Sequence, residues 1–522
     1  MDFLFFPLLG YLELHHRFRF FPFSRYYRRL PEIYADAPFR VGPGRPIPVT
    51  VLVKDAHRFP VRLEAVVITV NSGATRIRET FEIHREINCP WFETTFPVEP
   101  PERGVSLRIS VEITVQRGNR SFVIRNHNVP TTAPCDLTVV ADKDVLPGSD
   151  LFWWGDLHYH SSYTEDFVEF GASLPASKTA VEALELDFLA STDHSYDLDD
   201  QPGSWTRTDP ELKRWRQSRD EIAKLNVTGP PCLIPGEEVS VRNSGGKNVH
   251  ALVYALKRFI PGSGDGAERP LHNRSEHSIQ EMTSDLTGDE LVIAAHPLVQ
   301  TSKLEQILLN RGHWDWADGD HPGLHGFQIL NGRFDEAFRE GLAFWVRGLL
   351  AGKKQYIYAG NDAHGNFNAY HQISLPMWST RMHRHQILGQ CRTGVLKSAG
   401  LSLDVLLHQL KQGRAIITDG PSIMMEIEGE NVTAPLGGIL REDGMRIKLE
   451  SESSRAWGEL TALQLIHGRI GKNEIVLTDR LLSGYGDTTV WDSGGSLNKG
   501  YYRAKVVTDK NRQAYTNPIW IE

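Results

Sequence analysis

Gly155-Asp156-Leu157-His158-Tyr159-His160-Ser161 carries the reading of the fold. Residues two apart in a strand face the same side, so His158 and His160 can point at one ion. The stretch closes an apolar run that begins at Leu151. The same grammar recurs downstream. Asp187-Phe188-Leu189-Ala190 follows an amphipathic segment and runs into Ser191-Thr192-Asp193-His194-Ser195. Cys232-Leu233-Ile234 follows a polar helical stretch and ends in Pro235-Gly236-Glu237-Glu238. Asn248-Val249-His250 opens another strand, and Leu291-Val292-Ile293-Ala294-Ala295 ends in His296-Pro297. Gly326-Phe327-Gln328-Ile329-Leu330 and Tyr356-Ile357-Tyr358-Ala359 continue the rhythm, the latter reaching Gly360-Asn361-Asp362-Ala363-His364. Strands alternating with helices imply a largely parallel sheet, and the length suits a β/α barrel over 151–418.

On either side the pattern changes to β structure. Leu107-Arg108-Ile109-Ser110-Val111-Glu112-Ile113-Thr114-Val115 alternates apolar and polar residues, the period of a half-buried strand. Turn clusters at Asn71-Ser72-Gly73 and Arg117-Gly118-Asn119 separate such runs, which predicts a β-sandwich over 39–150. Ile447–Ser451 and Tyr501–Val507 are strand-like, which predicts a second β-sandwich over 419–522. Residues 1–38 read as an aromatic arm: Asp2 sits where a leader would be basic, and Pro7 interrupts the apolar run. The Gly-rich, charged stretch Pro261–Pro270 reads as a surface loop.

The chain has 522 residues, enough for two to four domains, and a net charge of -8. An acidic chain is a poor partner for polymeric nucleic acid or an anionic membrane, which recruit basic surfaces. A small phosphorylated substrate stays open, because bound metal supplies local positive charge. The four cysteines are far apart and form no CxxC pair, which fits a reducing, cytoplasmic setting. A homo-oligomer is left open.

The chemistry lies in the ensemble of strand ends. Each is weak alone; together they place histidines and carboxylates on the face where barrels carry active sites. Imidazole nitrogen and carboxylate oxygen are the donors that Zn, Mn and Fe accept. Burying so many ionisable groups without metal would be costly. The expectation is two to three divalent ions.

These motifs, in this order and spacing over about Trp153 to Thr418, resemble those of the polymerase and histidinol phosphatase (PHP) superfamily. The resemblance implies a distorted seven-stranded β/α barrel. It implies one metal held by His158, His160, Glu238 and Asp362, and a second held by Glu238, His250 and His296. A third would be held by His194, His364 and Asp166, with Glu165 as the alternative to Asp166. Gly413-Arg414-Ala415, Thr418-Asp419-Gly420-Pro421 and Thr516-Asn517-Pro518-Ile519-Trp520 are similar to the tail of the carbaryl-hydrolase-like branch.

The expected activity is hydrolysis by a metal-activated hydroxide, on a phosphate mono- or diester first and a carbamate or carboxylic ester second. A metal-stabilised, non-catalytic binding scaffold is the third reading. Glu238 and His194 are the central candidates. Asp193 is either a partner fixing the His194 ring or a turn residue. Arg333 is the candidate phosphate clamp, with an exposed helix-start arginine as the alternative. Trp153, Trp154 and Tyr159 either stack on an aryl group or pack the core.

Overall fold

The computed structural model describes residues 30–128, 135–164, 171–201, 204–266, 273–301, 303–368, 374–375, 378–379 and 386–522. Most of the arm expected over 1–38 therefore lies outside the described residues. The chain divides into two compact units. The first comprises 1–145, 165–185 and 363–388; the second comprises 146–164, 186–362 and 389–522.

In the first unit, Glu32–Asp36, Ile47–Lys54 and Trp91–Val98 form a three-stranded antiparallel sheet. A six-stranded sheet is built around Val61–Asn71, Arg76–Ile87 and Val105–Arg117. The alternation in Val105–Arg117 sends Leu107, Ile109, Val111, Ile113 and Val115 inward, where they share one core with Val49, Val51 and Val53. The buried Arg40 guanidinium is matched by Asp142 at 2.9 Å and Glu185 at 2.8 Å, so its burial leaves no uncompensated charge.

The second unit corrects the expected architecture. Strand makes up 44% of the described residues and helix 15%, far less helix than a β/α repeat requires. Among the described residues no barrel forms. Most of its strands belong to one sixteen-stranded sheet with a mixed, open ladder, beside a separate four-stranded sheet that includes Ser422–Gly429 and Gly444–Glu452. The ladder runs from Tyr356–Gly360 through Gly326–Asn331, Leu291–Ala294, Asn248–Tyr254, Cys232–Arg242, Phe188–Ser191 and Phe152–His160. It then continues through Arg392–Leu396 and Ala415–Thr418 into the C-terminal strands instead of closing.

The physical reason is visible between Arg242 and Asn248. Gly246 has a φ of 73°, and Asn243 N donates to Lys247 O at 2.8 Å. This tight turn makes Cys232–Arg242 and Asn248–Tyr254 an antiparallel hairpin with no helix between them. Asn248–Tyr254 also pairs antiparallel with Leu291–Ala294, and Phe152–His160 with Arg392–Leu396. Parallel pairing is confined to four steps of the ladder, Phe152–His160 with Phe188–Ser191 among them.

Within the ladder, Tyr356–Gly360 pairs only with Gly326–Asn331. Its end nevertheless meets the histidine-bearing strand closely. A Cβ on Gly360 would lie 2.5 Å from the Cβ of His158, so only glycine permits the approach. Asp362 N donates to His158 O at 2.9 Å. The site grows from this contact.

Candidate metal centre

His158 and His160 project from the same face of a fully buried strand, two residues apart. Their Nε2 atoms lie 3.0 Å from each other. They lie 3.4 and 3.3 Å from Asp362 Oδ1, and 3.4 and 3.3 Å from Glu238 Oε2. One potential donor atom from each of the four lies within 4.8 Å of the others. His158 Nδ1 meets Gln328 Oε1 at 2.8 Å, which puts a ring proton on Nδ1 and leaves Nε2 as the atom that faces the cluster.

Glu238, His250 and His296 form a second group within the same limit. Glu238 belongs to both. Its Oε2 lies 3.0 Å from His194 Nδ1, and its Oε1 lies 2.7 Å from His250 Nδ1 and 3.1 Å from His296 Nε2. Five imidazoles thus surround one carboxylate that is 1% exposed. Glu237, next in the chain, faces the other way, as strand alternation requires. It pairs with Arg219 at 2.9 Å and accepts from Trp215 Nε1 at 2.5 Å.

Electrostatics follow from this crowding. Burial pushes the Glu238 carboxyl up, but His250, His158 and His194 outweigh it and hold it well below the usual range. Burial pushes His158 down, yet Glu238 and Asp362 raise it to about 8. Burial likewise lowers His250, while Asp265 and Glu238 bring it to about 10. Each charge survives only through its opposite.

The residues fit divalent metal. The donors are the nitrogen and oxygen types such ions take. Glu238 Oε2 and His250 Nδ1 are buried and make no hydrogen bond. Buried polar atoms are rarely left so. His296 and Asp362 also adopt positive φ, 28° and 52°. Backbone strain of this kind is commonly found where a functional site is held in place.

The other candidates fall as follows. His194 lies against Glu238, its ring stacked on Tyr196 at 4.6 Å. His364 belongs to the first unit, in the two-residue strand Ala363–His364. Asp166 and Glu165 lie outside the described residues. The Asp193 carboxylate accepts hydrogen bonds from Ser161, Thr164 and Ser191 at 2.7 to 3.1 Å. It reaches the cluster through Thr164, whose Oγ1 lies 3.3 Å from His160 Nδ1. Arg333 Nε donates to Asp335 Oδ2 at 3.0 Å, beside the start of the helix Glu336–Leu350. Asn331, two residues earlier, instead approaches Asp362 Oδ2 at 3.5 Å. Trp153, Trp154 and Tyr159 are buried, Trp153 within the core of this unit.

Sequence reasoning missed Asp156, Gln328 and Asp265. Asp156 accepts from Asn361 N at 3.0 Å, Asn361 Nδ2 at 2.6 Å, His158 N at 3.1 Å and Gly389 N at 3.2 Å. It ties the histidine strand to the Asp362 turn. Its place in Gly155-Asp156-Leu157-His158, two residues before the first candidate ligand on the same strand face, was the available signal.

No family model matches the chain. No curated protein matches it either. Among solved structures, trypsin-activated alpha-2-macroglobulin from Escherichia coli is 10% identical with a TM-score of 0.16, over 94% of this chain and 23% of that one. A Paenibacillus sp. cycloisomaltooligosaccharide glucanotransferase is 8% identical with a TM-score of 0.18, over 94% and 71%. Likeness at this level carries no argument about fold or activity.

Proposed function

We propose that this protein is a metal-dependent hydrolase of ester bonds, acting on a small phosphate mono- or diester. The observation that carries the reading is Glu238, one buried carboxylate shared by two donor groups. His158, His160, Glu238 and Asp362 would hold one ion; Glu238, His250 and His296 would hold the other. Paired divalent ions at such donors bring the pKa of water to about 7 and offset charge developing on the scissile oxygen. The chain's own part is to fix the rings. Gln328 fixes His158, and Asp156 holds the Asp362 turn against the histidine strand. The ordered motifs that resemble the PHP superfamily support the same chemistry, independently of any barrel.

A carbamate or carboxylic ester is the second reading. It gains from Arg333, whose Nε is engaged by Asp335. Initial rates of metal-stripped and Mn²⁺- or Zn²⁺-reconstituted protein on aryl phosphomonoester, phosphodiester, ester and carbamate substrates separate the two. Turnover of the phosphate esters is the expected result. Turnover confined to ester or carbamate would move the assignment to the second reading.

A further inference from the structure

His250 does not stand alone. Its Nε2 lies 2.7 Å from Asp265 Oδ2, and Asp265 comes from the stretch whose composition reads as a surface loop. Its described part, 261–266, is packed tightly. A Cβ on Gly262 would lie 2.9 Å from Ser240 N, and one on Gly264 would lie 2.4 Å from Ser275 N. Both contacts are to backbone, which has little room to yield. Two glycines are therefore needed to bring the chain this close. The outcome is an Asp265 side chain with no exposure.

The remaining partners of Asp265 are donors. Ser240 Oγ donates to Oδ1, and Ser240 lies directly opposite His250 in the hairpin. Arg311 Nε donates to Oδ2 at 2.8 Å. A carboxylate held by a hydroxyl and a guanidinium is ionised and accepts only. It must therefore take its hydrogen bond from His250 Nε2–H. In a neutral imidazole this leaves the lone pair on Nδ1, the atom that faces Glu238.

We infer that Asp265, braced by Ser240 and Arg311, is the positioning residue that locks His250 in the tautomer able to bind metal. The inference rests on the metal-centre reading above and extends it to a residue outside the donor set. Loss of such outer partners typically weakens metal binding about 10–100-fold.

The test uses the full chain, stripped of metal. Zn²⁺ affinity is measured by chelator competition, and the Co²⁺ form is followed by its visible absorption. Asp265→Ala should weaken one ion at least about 10-fold and shift the Co²⁺ bands, while far-ultraviolet circular dichroism is unchanged. Asp265→Asn keeps the shape and loses the charge, and should fall between Ala and the native protein. It decides the matter should the alanine variant fail to fold. Native affinity and native Co²⁺ bands in Asp265→Asn, together with either the same in Asp265→Ala or its failure to fold, would overturn the inference while leaving the metal centre standing. Absence of Zn²⁺ binding by the native chain would overturn both, and is read before any variant is compared.

Discussion

Glu238 Oε1 and His250 Nδ1 lie 2.7 Å apart, yet His250 Nδ1 makes no hydrogen bond. An imidazole nitrogen and a carboxylate oxygen brought this close without regular hydrogen-bond geometry are arranged as ligands of a common cation would be. The other oxygen of Glu238 lies 3.0 Å from His194 Nδ1.

Glu238→Gln should therefore act on both donor groups at once. Metal content should fall for both ions, and turnover should drop more than about 100-fold, since losing an outer partner alone can cost that much. The metal-free variant should also be less stable, by roughly 3–5 kcal/mol, because buried imidazolium charge loses its counter-charge. Metal analysis and urea unfolding in chelator check the two halves separately.

Asp156→Ala should damage the site from behind. It strips the acceptor from Asn361 N, Asn361 Nδ2, His158 N and Gly389 N, all buried. At about 1–3 kcal/mol for each buried donor left unpaired, a loss of several kcal/mol is expected. Denaturant unfolding gives the number. A loss below about 1 kcal/mol would mean that Asp156 does not organise the turn.

Gly360→Ala should separate two strands that no ladder joins. Its methyl would sit 2.5 Å from His158 Cβ and 2.8 Å from His158 N. Overpacking of this sort costs about 1–3 kcal/mol. The displacement should also move His158 away from Asp362 and weaken one ion more than the other, which stepwise Zn²⁺ titration resolves.

The first unit offers a pH test of its own. Burial raises the Asp36 carboxyl to about 8, more than its bonds from Phe367 N and Ala37 N lower it. A folded-state value above the unfolded one favours the neutral form in the fold. The contribution is thus fully present below about pH 4 and is lost as pH rises toward 8. Asp36→Asn should flatten that loss, so that the variant gains on the native protein between pH 5 and 8. Urea midpoints across this range check the sign; parallel curves would show that Asp36 ionises freely.

His158 and His160, two apart, were readable as sharing a face because strand alternation survives any arrangement of the strands. The choice of Glu238 over Glu237 and the grouping with His250, His296 and Asp362 came only from the resemblance. The alternation of Leu107 to Val115 was equally readable. Strand partners were not. The turn at Asn243–Lys247 makes a hairpin where the reading supplied a parallel repeat, and the pairing of Phe152–His160 with Arg392–Leu396 joins residues far apart in the chain. Asp265 was hidden for a different reason. Its glycines and charges are the composition of a solvated loop, and only the close approach to Ser240 and Ser275 shows that the glycines serve packing.

The most direct measurement is equilibrium metal content of the purified full chain, before and after chelation, paired with hydrolysis rates on the four aryl substrates. The account expects at least two divalent ions per chain, turnover that vanishes on stripping, and recovery with Mn²⁺ or Zn²⁺. A chain that takes up no divalent ion, or that hydrolyses equally well when stripped, would contradict it.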